Sequence, residues 1–214
     1  MRLAADALAM ALAAMEALTS LQQGAQDTLA PRREVAEPAG IRVAVLVSAD
    51  AARYRSLMLE AYTQAADAFT STAEERAAEP LSYWERRIAD PSGLHFAFGA
   101  FVGERLVGTV ALECSAKPKT RHKALVIGMY VEPAARGTGA AWQLVDALIA
   151  QARQRGGLRL LTLTVTEGNE PAIRLYRRAG FVAFGVEPLA ILTPGGYRGK
   201  VHMGLDLQRD GEPG

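Results

Sequence analysis

The run Asn169-Glu-Pro-Ala172-Ile-Arg-Leu175-Tyr176-Arg-Arg-Ala-Gly180-Phe181 decides how the rest of this 214-residue chain is read. It follows a strand-like stretch, Leu158–Val165. Asn169 carries a side-chain oxygen suited to capping a helix, and Pro171 is tolerated in the first turn. Gly180 closes the helix, because glycine adopts the left-handed ending without a Cβ penalty. Tyr176 lies seven residues after Asn169, almost two turns on, so both side chains share one stripe. A capping amide and a phenol hydroxyl can therefore face one groove. Taken alone, Tyr176 is better explained as a helix aromatic packing in the core.

Upstream, the segment Val131-Glu-Pro-Ala-Ala-Arg136-Gly137-Thr138-Gly139-Ala140-Ala141-Trp142 marks the end of one strand and the start of a helix running to about Gln154. Trp142, Val145, Leu148, Ile149 and Ala152 form its apolar side, and Gly156-Gly157 stop it. Small residues here let a ligand approach the backbone, and free N–H groups at a helix start favour an anion such as a pyrophosphate. Two other phosphate motifs do not fit. The chain has no Gly-x-x-x-x-Gly-Lys-Ser/Thr run. A dinucleotide fingerprint needs a small residue where Trp142 stands, and an acidic residue about 20 positions on.

The remaining elements follow outward from these two. Ile41–Val47 reads as a strand, and Asp50 as the cap of a helix to about Ala66 with Leu57, Met58, Ala61 and Tyr62 inward. Ser71 and Glu74 have the spacing of a capping box, and Pro80–Ile88 reads as a further short helix. His95–Val102 and Arg105–Cys114 are extended, joined by a tight turn at Gly103-Glu104. A polar segment leads to the strand Ala124–Val131. Extended stretches near Phe181–Val186 and Val201–Leu207 close the chain. Antiparallel hairpins followed by strand–helix–strand–helix predict an α/β (α+β) fold, a mixed sheet with helices on both faces.

Composition limits the function. Half the residues are hydrophobic, 22% are charged, and 24 Lys+Arg against 23 Asp+Glu give a net charge of +1. This excludes a disordered or collagenous chain and argues against a nucleic-acid binder, which carries a basic excess. The single cysteine, Cys114, leaves no disulfide and no zinc ligand set, so no metal is expected. Met1–Leu21 is alanine- and leucine-rich, but Asp6 and Glu16 interrupt it, so it reads as a helix rather than a signal peptide. No run of about 20 apolar residues exists to span a membrane. Residues 22–40, with Pro31 and Pro38, read as a linker. The expected organisation is an N-terminal helix and linker at 1–40, a domain at 41–208 and a tail at 209–214. The expected location is the cytoplasm.

Together the two motifs resemble the GNAT superfamily of acyl-CoA-dependent N-acetyltransferases. Arg136, Gly139 and Ala141 match its cofactor pattern Arg/Gln-x-x-Gly-x-Gly/Ala. Asn169, Ala172, Leu175, Tyr176, Gly180 and Phe181 match its later pattern. The resemblance is most specific over residues 122–186 and extends by strand order to about 41–207; residues 1–40 have no counterpart in it. It implies a mostly antiparallel sheet in which Ala124–Val131 and Leu158–Val165 splay apart. It also implies acetyl-CoA as cosubstrate, its pantetheine arm against the backbone of Met129 and Val131 and touched by Asn169. The pyrophosphate would rest on the N–H groups of Gly137, Thr138, Gly139, Ala140 and Ala141, with charge from Arg136. Arg177 or Arg178 is a further phosphate candidate, balanced by a solvated helix face.

The implied reaction is direct attack of a primary amine on the thioester. A lysine-like amine has a pKa of about 10.4, so about one in 2,500 molecules is neutral at pH 7. A proton must leave, to a base or a water chain. Tyr176 matches the family's general-acid position beside the departing thiolate. Full proton transfer from an ordinary Tyr to a thiolate costs about 2 kcal/mol, so hydrogen-bond stabilisation is the easier role. Glu113 and His122 are the base candidates, against an exposed carboxylate and a hairpin histidine. Tyr83, Trp84 and Phe69 are candidates for the acceptor pocket, with core packing an equal explanation. Lys117, Lys119, Arg121 and Lys123 read as a solvated loop. The acceptor is expected to be a small molecule or amino acid. The alternatives are a protein N-terminus or lysine, and a non-catalytic acyl-CoA-binding module. Dimers are common in similar proteins, and the oligomeric state stays open.

Overall fold

The computed structural model describes residues 40–208. The helix and linker expected at 1–40 lie, apart from Gly40, outside the described residues, as does the tail at 209–214. Strand β1 (Arg42–Val45) leads through a short turn to α1 (Ala51–Gln64), α2 (Ala73–Ala77) and α3 (Leu81–Ile88). Then come β2 (His95–Val102), β3 (Arg105–Cys114), β4 (Lys123–Val131), α4 (Ala140–Gln154), β5 (Leu160–Thr166) and α5 (Glu170–Arg178). A long hairpin, β6 (Val182–Thr193) and β7 (Gly196–Asp206), ends the described chain. The seven strands form one sheet in the order β1-β2-β3-β4-β5-β7-β6. Every pairing is antiparallel except β4 with β5. The mixed, mostly antiparallel sheet expected from the sequence is the one observed.

Helices cover both faces, which is why β2 and β3 are apolar along nearly their whole length. Tyr54, Met58, Trp84 and Ile88 of α1 and α3 pack on Ala97, Phe101 and Ala111. On the other face Leu144, Val145 and Leu148 of α4 and Ile173 of α5 pack on Val107, Leu112, Leu161 and Met203. Each fully buried leucine here contributes about 1.5–3 kcal/mol through the water it sheds. β6 is the outer strand, and Val182, Phe184 and Val186 stand exposed along it.

Three local expectations are corrected. The capping box lies one residue later: Thr72 Oγ1 accepts from the Glu75 N–H at 3.1 Å, and Glu75 Oε2 accepts from the Thr72 N–H at 2.8 Å. Ser71 has the same spacing to Glu74, but its hydroxyl oxygen accepts instead from Arg76. Asp50 precedes α1, yet its carboxylate accepts from the Val47 N–H at 2.9 Å and pairs with Arg53 at 3.3 Å rather than capping the helix. The final strands are longer than expected. Pro188, Pro194 and Gly199 break the period-2 pattern, and an outer strand tolerates Pro188 because it need not donate there.

Candidate active site

The site begins where β4 and β5 part. They pair only from Lys123↔Leu160 to Leu125↔Thr162; beyond Leu125 the strands run on without pairing. A β-bulge on β4 sits in that diverging stretch. Thr109 faces Tyr130 and Ala111 faces Ile127, so Gly128 and Met129 together oppose Val110. Gly128 takes φ +62°, a conformation that costs a side-chain-bearing residue about 1–2 kcal/mol. The bulge turns β4 away from β5 and leaves its β5-facing backbone groups outside the ladder. Gly128 is the residue that sequence reasoning passed over. A lone glycine inside a β-branched run was its available signal.

A cavity of about 230 Å³ occupies this wedge. Val126–Met129 of β4, Thr164–Thr166 of β5, and Asn169, Ala172 and Tyr176 line one side. Tyr62, Phe69, Ser71, Arg76 and Arg87 line the other, with Lys200 of β7. Asn169 caps α5, its Oδ1 accepting from the Ala172 N–H at 3.3 Å. The Asn169–Tyr176 stripe expected from helical spacing does face one cavity. The Tyr176 ring is buried edge-to-face on Phe181 at 5.6 Å. Burial alone pushes its phenol above the ordinary tyrosine range. The hydroxyl is thus a donor at neutral pH, and surrendering its proton costs more than it would for an ordinary tyrosine.

The glycine turn lies just beyond β4. Gly137 and Gly139 both have positive φ, of +79° and +87°, and Gly139 precedes the first turn of α4. A Cβ on Gly137 would meet nothing within 4 Å, so the backbone there is open to a ligand. Thr138 donates to the Ala135 carbonyl at 2.7 Å, and Arg136 Nε donates to the Val131 carbonyl at 3.2 Å. These residues fit an anionic cofactor end, with N–H groups at a 15-residue helix start. Met129 lines the cavity, whereas Val131, Arg136 and residues 137–141 lie outside its lining.

Other candidates fall elsewhere. Glu113, at the far end of β3, stands 3.9 Å from His95. The His122 carbonyl accepts from Arg159 and Leu160 at the closed end of the strand pair. Neither lines the cavity. Trp84 is fully buried in the core, and Tyr83 holds Arg87; of the three aromatics, Phe69 lines the cavity. Arg178 stacks on Trp142 at 4.2 Å, and Arg177 is exposed. Lys117, Lys119 and Arg121 are exposed in the loop, whereas Lys123, also exposed, opens β4 rather than belonging to it. Sequence reading also missed Lys200, whose ammonium is pushed below the ordinary lysine pKa by burial and partly restored by Glu187.

Among the described residues, the cavity lining contains no Asp, Glu, His or Cys. A neighbouring hollow shares Ala68, Thr166 and Asn169 with it and carries Asp67 and Glu167. No described helix is long and apolar enough to cross a membrane.

A mixed sheet with a bulged, diverging parallel pair and a glycine turn feeding a helix defines the α/β class of the fold. Residues 56–181 match the acetyltransferase (GNAT) family, and the chain belongs to it. A mycothiol acetyltransferase of Geodermatophilus obscurus is 35% identical over 102 residues, 46% of this chain but 31% of that protein. The chain thus spans under a third of that relative. An L-amino acid N-acetyltransferase of Escherichia coli is 27% identical over 120 residues, 56% of this chain and 73% of that protein. Among solved structures, a Streptococcus pneumoniae acetyltransferase of the GNAT family superposes with a TM-score of 0.65 at 21% identity, over 78% of this chain and 98% of that one. A Salmonella typhimurium protein described as an acetyltransferase, solved with its cofactor acetyl-CoA, gives 0.67 at 21% identity, over 82% and 98%.

Proposed function

We propose that the protein transfers an acetyl group from acetyl-CoA to the primary amine of a small molecule. The observation that carries this is the cavity between the diverging strands, lined by Met129, Asn169 and Tyr176 together. Its volume, about 230 Å³, lies below the usual 300–1,000 Å³ of drug-sized sites and suits a small acceptor. The amino-acid acetyltransferase from Escherichia coli supports the same class.

Acetyl-CoA supplies an activated acyl thioester when bound. The chain's residues do the rest. N–H groups from Gly137 to Ala141, with Arg136, hold the pyrophosphate. The freed β4 backbone at Met129 and Val131 and the Asn169 amide bind the pantetheine arm. Tyr176 donates a hydrogen bond to the departing sulfur. Its raised pKa makes stabilisation by hydrogen bonding, with protonation later, the economical route. The described residues place no carboxylate or imidazole in the lining, so the amine's proton leaves through water. The neighbouring cations Arg76, Arg87 and Lys200 favour the neutral amine, because like charge disfavours the ammonium.

A cytoplasmic location and a homodimer complete this reading. The test is thiol release from acetyl-CoA across a panel of amino acids, polyamines, aminoglycosides and peptides. Release with small amines supports the proposal. Release only with peptides moves the acceptor to a protein N-terminus or lysine. Tight acetyl-CoA binding without release supports a non-catalytic module. Sedimentation at a single-chain mass would remove the dimer.

A further inference from the structure

Resting on that reading, we infer that the acceptor carries a carboxylate beside its amine, and that Arg87, assisted by Arg76, holds this carboxylate. Among the described residues, the cavity sets three cationic side chains against no acidic one. Two are guanidiniums on the α2–α3 side, facing the strand and helix that carry Met129, Asn169 and Tyr176. Their arrangement is built rather than incidental. Both pack on the Tyr83 ring, Arg76 at 5.1 Å from its centre and Arg87 at 5.5 Å. Tyr83 is itself fixed edge-to-face against buried Trp84 at 5.3 Å. Arg87 also donates to the Tyr83 hydroxyl at 3.2 Å.

The two differ in what neutralises them. Arg76 donates to Ser71 at 2.7 Å and pairs with Glu79 at 3.6 Å. Arg87 has no carboxylate within ion-pair distance among the described residues; the Nε of each arginine is buried without a partner. A guanidinium withdrawn from water without a counter-ion is costly, and a carboxylate entering the cavity offsets that cost. The planar fork of an arginine fits a carboxylate through two parallel hydrogen bonds. The cofactor's phosphates have a separate place, since the glycine turn does not line this cavity. The acceptor class is therefore an amino acid rather than a polyamine or a simple alkylamine. Tyr62, Phe69, Val126 and Ile127 give its side chain a mainly apolar surface.

The test uses the full chain and compares each standard amino acid with its carboxamide and its decarboxylated amine. At least one free amino acid should exceed both partners by about tenfold or more in kcat/KM, as expected for a charge-assisted hydrogen bond. Arg87→Gln should collapse that ratio to near unity through KM for the amino acid, leaving KM for acetyl-CoA unchanged. Arg87→Lys keeps the charge without the fork, and should retain part of the preference; it also serves if Arg87→Gln fails to fold. Equal rates with carboxamides, or an undiminished ratio in either variant, would overturn the inference. A rise in KM for acetyl-CoA would do the same by placing Arg87 on the cofactor. Calorimetric titration of amino acids into CoA-saturated protein reads the carboxylate site without turnover. If no amine is acetylated, the transferase reading fails, and this titration alone decides the Arg87 site.

Discussion

Tyr176 shows how far one side chain's environment sharpens its chemistry. Helical spacing put it on a stripe with Asn169, and the structure brings both to one cavity. Its burial was invisible to spacing, because it depends on Phe181 folding back against the ring. The sign of the resulting shift is definite: burial disfavours the phenolate, so the neutral donor persists beyond pH 10. The pH profile of kcat should therefore rise with ionisation of the acceptor ammonium and show no falling limb from Tyr176 below pH 10. A falling limb at pH 8–9 that disappears in Tyr176→Phe would contradict this. Arg87 was illegible for a related reason. Its aromatic neighbours Tyr83 and Trp84 carry the stronger sequence signal, and only packing shows that Trp84 turns into the core while Arg87 turns to the cavity.

Among the elements, β4 carries the largest consequence of a single residue. The strand was readable from its β-branched run, but its bulge needs a partner strand to define two residues against one. Gly128→Val should cost about 1–2 kcal/mol in backbone strain and lower Tm by about 2–8 °C. A Cβ there would meet the Tyr54 hydroxyl at an ordinary 3.5 Å, so the cost lies in the backbone rather than a clash. Acetyl-CoA affinity, read by calorimetry, should fall with it. At the start of α5, Asn169→Ala should lose about 1 kcal/mol of capping and also weaken acetyl-CoA binding. Loss of stability without loss of binding would reduce Asn169 to a cap. Helices α1, α3, α4 and α5 were legible in their periodicity, whereas β6 and β7 were cut short by their prolines and glycines.

For the molecule as described, residues 40–208, two apolar layers cover the two faces of one sheet. The same burial gives a pH limit to stability. Tyr54, Tyr62, Tyr130 and Tyr176 are all raised, chiefly by desolvation, with Tyr130 at about 12 and hydrogen-bonded to Glu60 at 3.0 Å. The unfolded chain ionises these phenols near pH 10, before the folded one does. Stability should thus be level with respect to them up to about pH 10 and fall from there toward 12, as the unfolded state releases protons first. Lys200, lowered by burial, acts in the opposite sense, one group against four. Urea midpoints across this range check the slope, and Tyr176→Phe should make it shallower. A slope unchanged by that substitution would deny the phenol its raised pKa.

On the proposed reading, the wedge between β4 and β5 is a site of acyl transfer assisted by Tyr176. Single-turnover acetylation of an accepted amine, with acetyl-CoA saturating and chemistry rate-limiting, tests it most directly. Tyr176→Phe should slow that step by about a hundredfold or more while leaving acetyl-CoA affinity intact. An unchanged single-turnover rate in the phenylalanine variant would contradict the account.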